Sequence, residues 1–136
     1  DVVCSKGFKD LNNIRYSSVE NILPNQMILD IGNKSIKKIN KILSKSNMIL
    51  WNGPLGAFEY EPFNHATKEI AHTIKKNSLM LNITTLAGGG DTISAIKMAK
   101  AEDSFSYISN AGGAFLEWLE GKESPGIRAL KENTLF

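Results

Sequence analysis

Three consecutive glycines followed by an aspartate and a threonine divide a strand-like run from a helix-like run, and few folds tolerate such a junction. The stretch reads Leu79-Met80-Leu81-Asn82-Ile83-Thr84-Thr85-Leu86-Ala87, then Gly88-Gly89-Gly90-Asp91-Thr92, then Ile93 to Lys100. The first part is apolar and β-rich, which predicts a buried strand; Ile93, Ile96 and Ala99 recur at helical spacing. Glycines at the junction let a backbone approach a ligand without a Cβ in the way. The following helix offers unpaired N–H groups and the positive end of its dipole, a setting for phosphate. A carboxylate at Asp91 repels bare phosphate, so it fits best with a divalent cation shared between them. The alternative is a structural turn in which Asp91 caps the helix. The GxGxxG dinucleotide fingerprint is absent.

The rest of the chain alternates in the same way. Asp1 to Cys4 predicts a strand, Ile14-Arg15-Tyr16 a short edge strand, and residues 34–46 a helix with Ile36, Ile39, Ile42 and Leu43 on its buried face. Met48 to Trp51 is a continuous apolar run, expected to be a strand buried on both faces. A helix starts near Asn64, its expected N-cap, with Ala66, Ile70, Ala71 and Ile74 inward. A strand at 105–109, a helix after Gly112-Gly113 and a short helix from Ile127 to Glu132 complete the pattern. Strands alternating with helices imply right-handed βαβ crossovers and one α/β domain with a mainly parallel sheet.

Loops after the carboxyl ends of parallel strands share one rim. That puts 52–59, 88–92 and 109–113 together. In the first, Gly53, Pro54 and Gly56 make a tight backbone suited to a flat base, and Glu59 is a candidate acceptor for ribose hydroxyls, with an ordinary exposed carboxylate as the alternative. Trp51 reads as core. The third loop brings a second helix N-terminus, and two facing termini suit phosphoryl transfer. The alternative is that Gly112-Gly113 simply lets this helix pack closely. His65, His72, Glu117 and Glu120 read as surface residues.

Composition narrows the class. At 136 residues the chain has room for one domain, and a net charge of +2 with dispersed lysines gives no case for nucleic acid. No membrane partner is expected, since no run has spanning length. Cys4 is the only cysteine, so a reducing compartment, the cytoplasm, is the default. Entry into a strand at Val2 without lead-in predicts further sequence upstream, and 130–136 reads as a natural C-terminus.

Taken in order, these segments resemble the C-terminal, nucleotide-binding domain of phosphoglycerate kinase. The residues that carry the likeness are Asp30-Ile31-Gly32, Trp51-Asn52-Gly53-Pro54-Leu55-Gly56-Ala57-Phe58-Glu59, Ala87-Gly88-Gly89-Gly90-Asp91-Thr92, Tyr107-Ile108-Ser109, Gly112-Gly113-Ala114 and Leu119-Glu120-Gly121-Lys122, from Asp1 to about Leu130. The resemblance implies a Rossmann-like three-layer α/β domain, incomplete at its N-terminal side, from a cytoplasmic and usually monomeric enzyme. It implies Mg²⁺-dependent phosphoryl transfer between 1,3-bisphosphoglycerate and ADP, giving 3-phosphoglycerate and ATP. By the same likeness Glu59 holds the ribose, Gly89, Gly90, Asp91 and Thr92 carry the nucleotide phosphates with Asp91 attending Mg²⁺, and Asn52 lies near the phosphates. Gly112 and Gly113 approach the transferring phosphoryl group.

Two departures stand out: Asn33 replaces the family's usual proline, and Asn110-Ala111 replaces threonine-glycine. The N-terminal domain that cradles phosphoglycerate has no counterpart here, nor does the nucleotide-contacting lysine of the early nucleotide domain. The chain therefore reads as a C-terminal portion of the enzyme, with a catalytically inactive nucleotide-binding remnant as the alternative.

Overall fold

The computed structural model describes residues 1–132; the last four residues of the expected C-terminus lie outside the described residues. The described chain is α/β and carries two three-stranded sheets. The first contains β1 (Val2–Ser5), β2 (Arg15–Ser17) and β3 (Met27–Ile31), antiparallel in the order β2-β1-β3. The second contains β4 (Met48–Asn52), β5 (Thr84–Gly88) and β6 (Tyr107–Ser109), parallel in the order β4-β5-β6. The helices are α1 (Asn33–Leu43), α2 (His65–Leu81), α3 (Gly90–Met98), α4 (Gly112–Leu119) and α5 (Pro125–Glu132).

One face of the parallel sheet holds the main core. Ile49, Trp51 and Ala87 point from the strands into Ile36 of α1, Ile70 and Ile74 of α2, and Ile96 of α3. On the opposite face Phe115 of α4 lies over Gly88. An apolar groove of about 560 Å³ separates β5 and β6 from α4 and α5, lined by Leu86, Tyr107, Phe115, Trp118 and Ile127.

Several expectations are corrected. The apolar triplet Leu79-Met80-Leu81 is the last turn of α2, not the start of a strand. All three side chains are exposed, and Asn82 ends the helix in the left-handed conformation at φ 47° before β5 begins at Thr84. Short apolar runs do not separate helix from strand. The strand β4 alternates instead of burying both faces: Ile49 and Trp51 are inside, while Met48 and Leu50 are 61% and 44% exposed. Ile42 is exposed as well, because 100° per residue carries it off the stripe that Ile36, Ile39 and Leu43 share. The strand β3 is an addition to the predicted elements: its apolar residues follow a polar loop, and it pairs with β1 more than twenty residues upstream.

Two helices receive their N-terminal hydrogen bonds from strands. Asp1, immediately before β1, accepts from the backbone N–H groups of Lys34 (3.1 Å) and Ser35 (2.7 Å) in the first turn of α1. Gly32, the N-cap position, has no side chain to do this, and a Cβ there would fall on the Asp1 carboxylate. Asp30 of β3 serves α2 likewise, its Oδ2 accepting from Ala66 N–H at 3.0 Å. Asn64 occupies the N-cap position as expected, but its side chain makes no capping bond. An N-cap carboxylate or amide stabilises a helix by about 1 kcal/mol; here it arrives through tertiary structure.

Candidate functional site

The rim predicted from the three glycine loops is present. Asn52, Gly88 and Ser109 end their strands in register across the parallel sheet, so the loops that follow leave from one edge. Gly89 turns the chain at φ +97°, a conformation open to glycine, and α3 starts at the next residue. Its N–H donates to the Ser109 carbonyl at 3.2 Å, tying the second loop to the third.

Gly112 closes this joint. A Cβ built on it would stand 2.5 Å from Gly89 Cα and 2.6 Å from Gly89 N, so the two backbones touch. The packing role weighed for Gly112 in the sequence is therefore real. Gly113 differs: it is exposed and a Cβ there would meet nothing within 4 Å. The sequence presents the two glycines as a pair; the fold separates them into one that packs and one that faces open space. The contact of Gly112 with Gly89 sets the N-terminus of α4 beside that of α3, and the orphan N–H groups of both first turns share the rim.

Asp91 is exposed in the first turn of α3. It does not cap the helix, because Gly89 holds the N-cap position and no side-chain bond is made there. Its carboxylate has no hydrogen-bond or ion-pair partner among the described residues, which leaves it available to an incoming group. Asn52 and Thr92 flank the same turn, with Asn52 Oδ1 and Thr92 Oγ1 each 3.5 Å from where a Gly89 Cβ would be. A Cβ at Gly89 would only touch them at ordinary contact distance; it is the positive φ that restricts this position to glycine. Among the described residues no three His, Cys, Asp or Glu side chains cluster. Asp91 is the carboxylate at this turn that could hold a Mg²⁺ ion, a cation that usually keeps phosphate and water ligands beside one or two carboxylates.

Thr92 is buried at 1% exposure, and its Oγ1 accepts from Gly53 N–H at 2.6 Å. Glu59 sits exposed on the turn closed by Tyr60 N–H to the Ala57 carbonyl, 2.9 Å; its side chain makes no hydrogen bond to the glycine loops. Trp51 is core, with Nε1 donating to the Gly53 carbonyl. His65 and His72 are exposed, as are Glu117 and Glu120.

Two further residues have structural roles here that the sequence alone does not assign. Asp30 is 2% exposed and lies under Gly56, whose Cβ would come within 2.5 Å of Asp30 Oδ1. Burial pushes its carboxyl up to about 6, opposed by the N–H donors of Ala66 and Ile31 and by His65. Thr67 of α2 is fully buried and accepts from Leu55 N–H at 3.0 Å. A threonine between the apolar positions Ala66 and Ile70 was the available signal.

Fold and rim together define an α/β domain whose parallel sheet gathers two helix N-termini and a free carboxylate at one edge. The family model described as phosphoglycerate kinase matches residues 1–122. The chain belongs to the phosphoglycerate kinase family. It is 47% identical over 135 residues to the phosphoglycerate kinase of Zymomonas mobilis subsp. mobilis, covering 96% of this chain and 33% of that protein. It is 50% identical over 125 residues to the phosphoglycerate kinase of Buchnera aphidicola subsp. Schizaphis graminum, covering 92% and 31%. Among solved structures it is similar to phosphoglycerate kinase from Coxiella burnetii, with a TM-score of 0.79 at 32% identity over 89% of this chain and 30% of that one. The chain spans about a third of the length of the curated relatives it matches.

Proposed function

We propose that this chain is part of the C-terminal, nucleotide-binding domain of a glycolytic phosphoglycerate kinase, which transfers a phosphoryl group between 1,3-bisphosphoglycerate and ADP to give 3-phosphoglycerate and ATP in the cytoplasm. The observation that carries the reading is the backbone contact of Gly112 with Gly89, which sets two helix N-termini side by side next to the unpartnered Asp91. Phosphoryl transfer is catalysed mainly by positioning and by fixed charge stabilisation. On this reading Gly89, Gly90, Asp91 and Thr92 line the phosphates, with Asn52 beside them. Glu59 holds the ribose, and Gly112 and Gly113 bring α4 N–H groups towards the transferring group. Magnesium, when bound, neutralises charge on the phosphate oxygens. Asp91 would hold it from the protein side.

The test is an ADP titration with and without Mg²⁺. The parent is expected to bind ADP more tightly with the cation, and Asp91→Asn to lose that difference. Full magnesium dependence in the variant would remove Asp91 from the metal role.

A second reading is an inactive nucleotide-binding remnant. The acceptor must be clamped against the nucleotide for transfer to occur, and no arginine flanks the rim; Arg15 is in β2 and Arg128 in α5. A coupled assay on this chain alone is expected to read at background under either reading. Turnover restored by the remaining portion of the enzyme supplied in trans would select the first.

A further inference from the structure

The loop between β4 and α2 is fastened through alternate backbone amides. Gly53 N–H donates to Thr92 Oγ1 (2.6 Å), Leu55 N–H to Thr67 Oγ1 (3.0 Å) and Ala57 N–H to the Leu29 carbonyl (2.8 Å). The three acceptors belong to three elements, α3, α2 and β3. Both threonines are buried, at 1% and 0% exposure. A buried hydroxyl is costly unless it is hydrogen-bonded, and a purely apolar side chain would fill a helix–sheet core without that cost. The hydroxyls at 67 and 92 are accounted for by the amides they hold.

We propose that Thr67 and Thr92 are positioning residues that keep the Gly53–Ala57 backbone in the shape that receives the base and ribose of a nucleotide. The ligand half of this inference rests on the nucleotide reading above; the loop-holding half does not. Thr92 sits one residue beyond Asp91 in α3, so its bond to Gly53 also joins the phosphate side of the site to the base side. Thr67 has no place on the phosphate side, and its effect is confined to the loop.

The experiment compares the parent chain with Thr67→Val, Thr92→Val and the corresponding serine variants. Amide hydrogen exchange is read first, without ligand. Gly53 is expected to exchange about tenfold faster in Thr92→Val and Leu55 about tenfold faster in Thr67→Val, the scale of one lost hydrogen bond, with serine restoring both. Adenosine and inorganic pyrophosphate are then titrated separately. Adenosine affinity should fall about tenfold in both valine variants, while Thr67→Val leaves pyrophosphate unchanged. Should Thr92→Val not fold, Thr92→Ala is read in the same way. Unchanged exchange at Gly53 and Leu55 in folded variants overturns the loop-holding half. Faster exchange with unchanged adenosine affinity overturns the ligand half. A parent that binds neither ADP nor adenosine overturns the nucleotide reading and the ligand half with it, and the exchange data then judge the loop alone.

Discussion

Gly112→Ala is expected to lower folding stability by about 2–3 kcal/mol, measured by urea unfolding. The added methyl meets the backbone of Gly89, at 2.5 Å from Cα and 2.6 Å from N, and no rotamer change can relieve a clash between main chains. Either α4 backs away from the sheet or the Gly89 turn deforms. The second route also moves the N-terminus of α3, so ADP binding should weaken together with stability. Gly113→Ala is the control. It lies in the same turn of α4 with open space around it, and replacing glycine by alanine in a helix adds up to about 1 kcal/mol. Equal melting of the Gly112 variant and the parent would show that the two loops do not touch.

The second large effect is in the pH dependence of stability. Asp30 has a folded-state value of about 6 against an ordinary 3.8, because burial disfavours its charge more than the Ala66 and Ile31 N–H groups favour it. The folded chain therefore holds a proton between those values that the unfolded chain releases. Stability is greatest on this account below pH 3.8 and falls as pH rises through about 6, by about 3 kcal/mol in total. Exposed Glu61, held below the ordinary range by hydrogen bonds from Lys68 and Asn64, acts in the opposite sense. Comparison with Asp30→Asn isolates the Asp30 contribution. The difference in unfolding free energy between parent and variant should shift against the parent from pH 4 to pH 6.5 and then level off. A difference independent of pH across that range would mean that Asp30 titrates as an exposed carboxylate does.

What the sequence disclosed was local. The junction at Gly88 to Thr92 announces a strand, a turn and a helix within a few residues, and the common rim then follows from parallel topology alone. The family likeness named the site positions, yet it could not divide Gly112 from Gly113, because the difference lies in what stands opposite each. The roles of Asp30 and Thr67 are not legible for the same reason: their partners are 36 and 12 residues away, at Ala66 and Leu55. Local periodicity also misled at Leu79-Met80-Leu81, where an exposed helix end has the composition of a strand. At Met48 and Leu50 it overstated burial, since an apolar run carries no information about how many faces are covered.

The two sheets share no ladder among the described residues. Part of what joins them is a pair of carboxylates on the antiparallel sheet, Asp1 and Asp30, bonded to helices that cover the parallel one. Opening the antiparallel sheet therefore uncaps α1 and α2 at once, and fraying either helix releases a strand's acidic side chain into solvent. Neither half has a cheap way to unfold first. The molecule should behave as a single cooperative unit in native-state exchange, with β1, β3 and the first turns of α1 and α2 opening together.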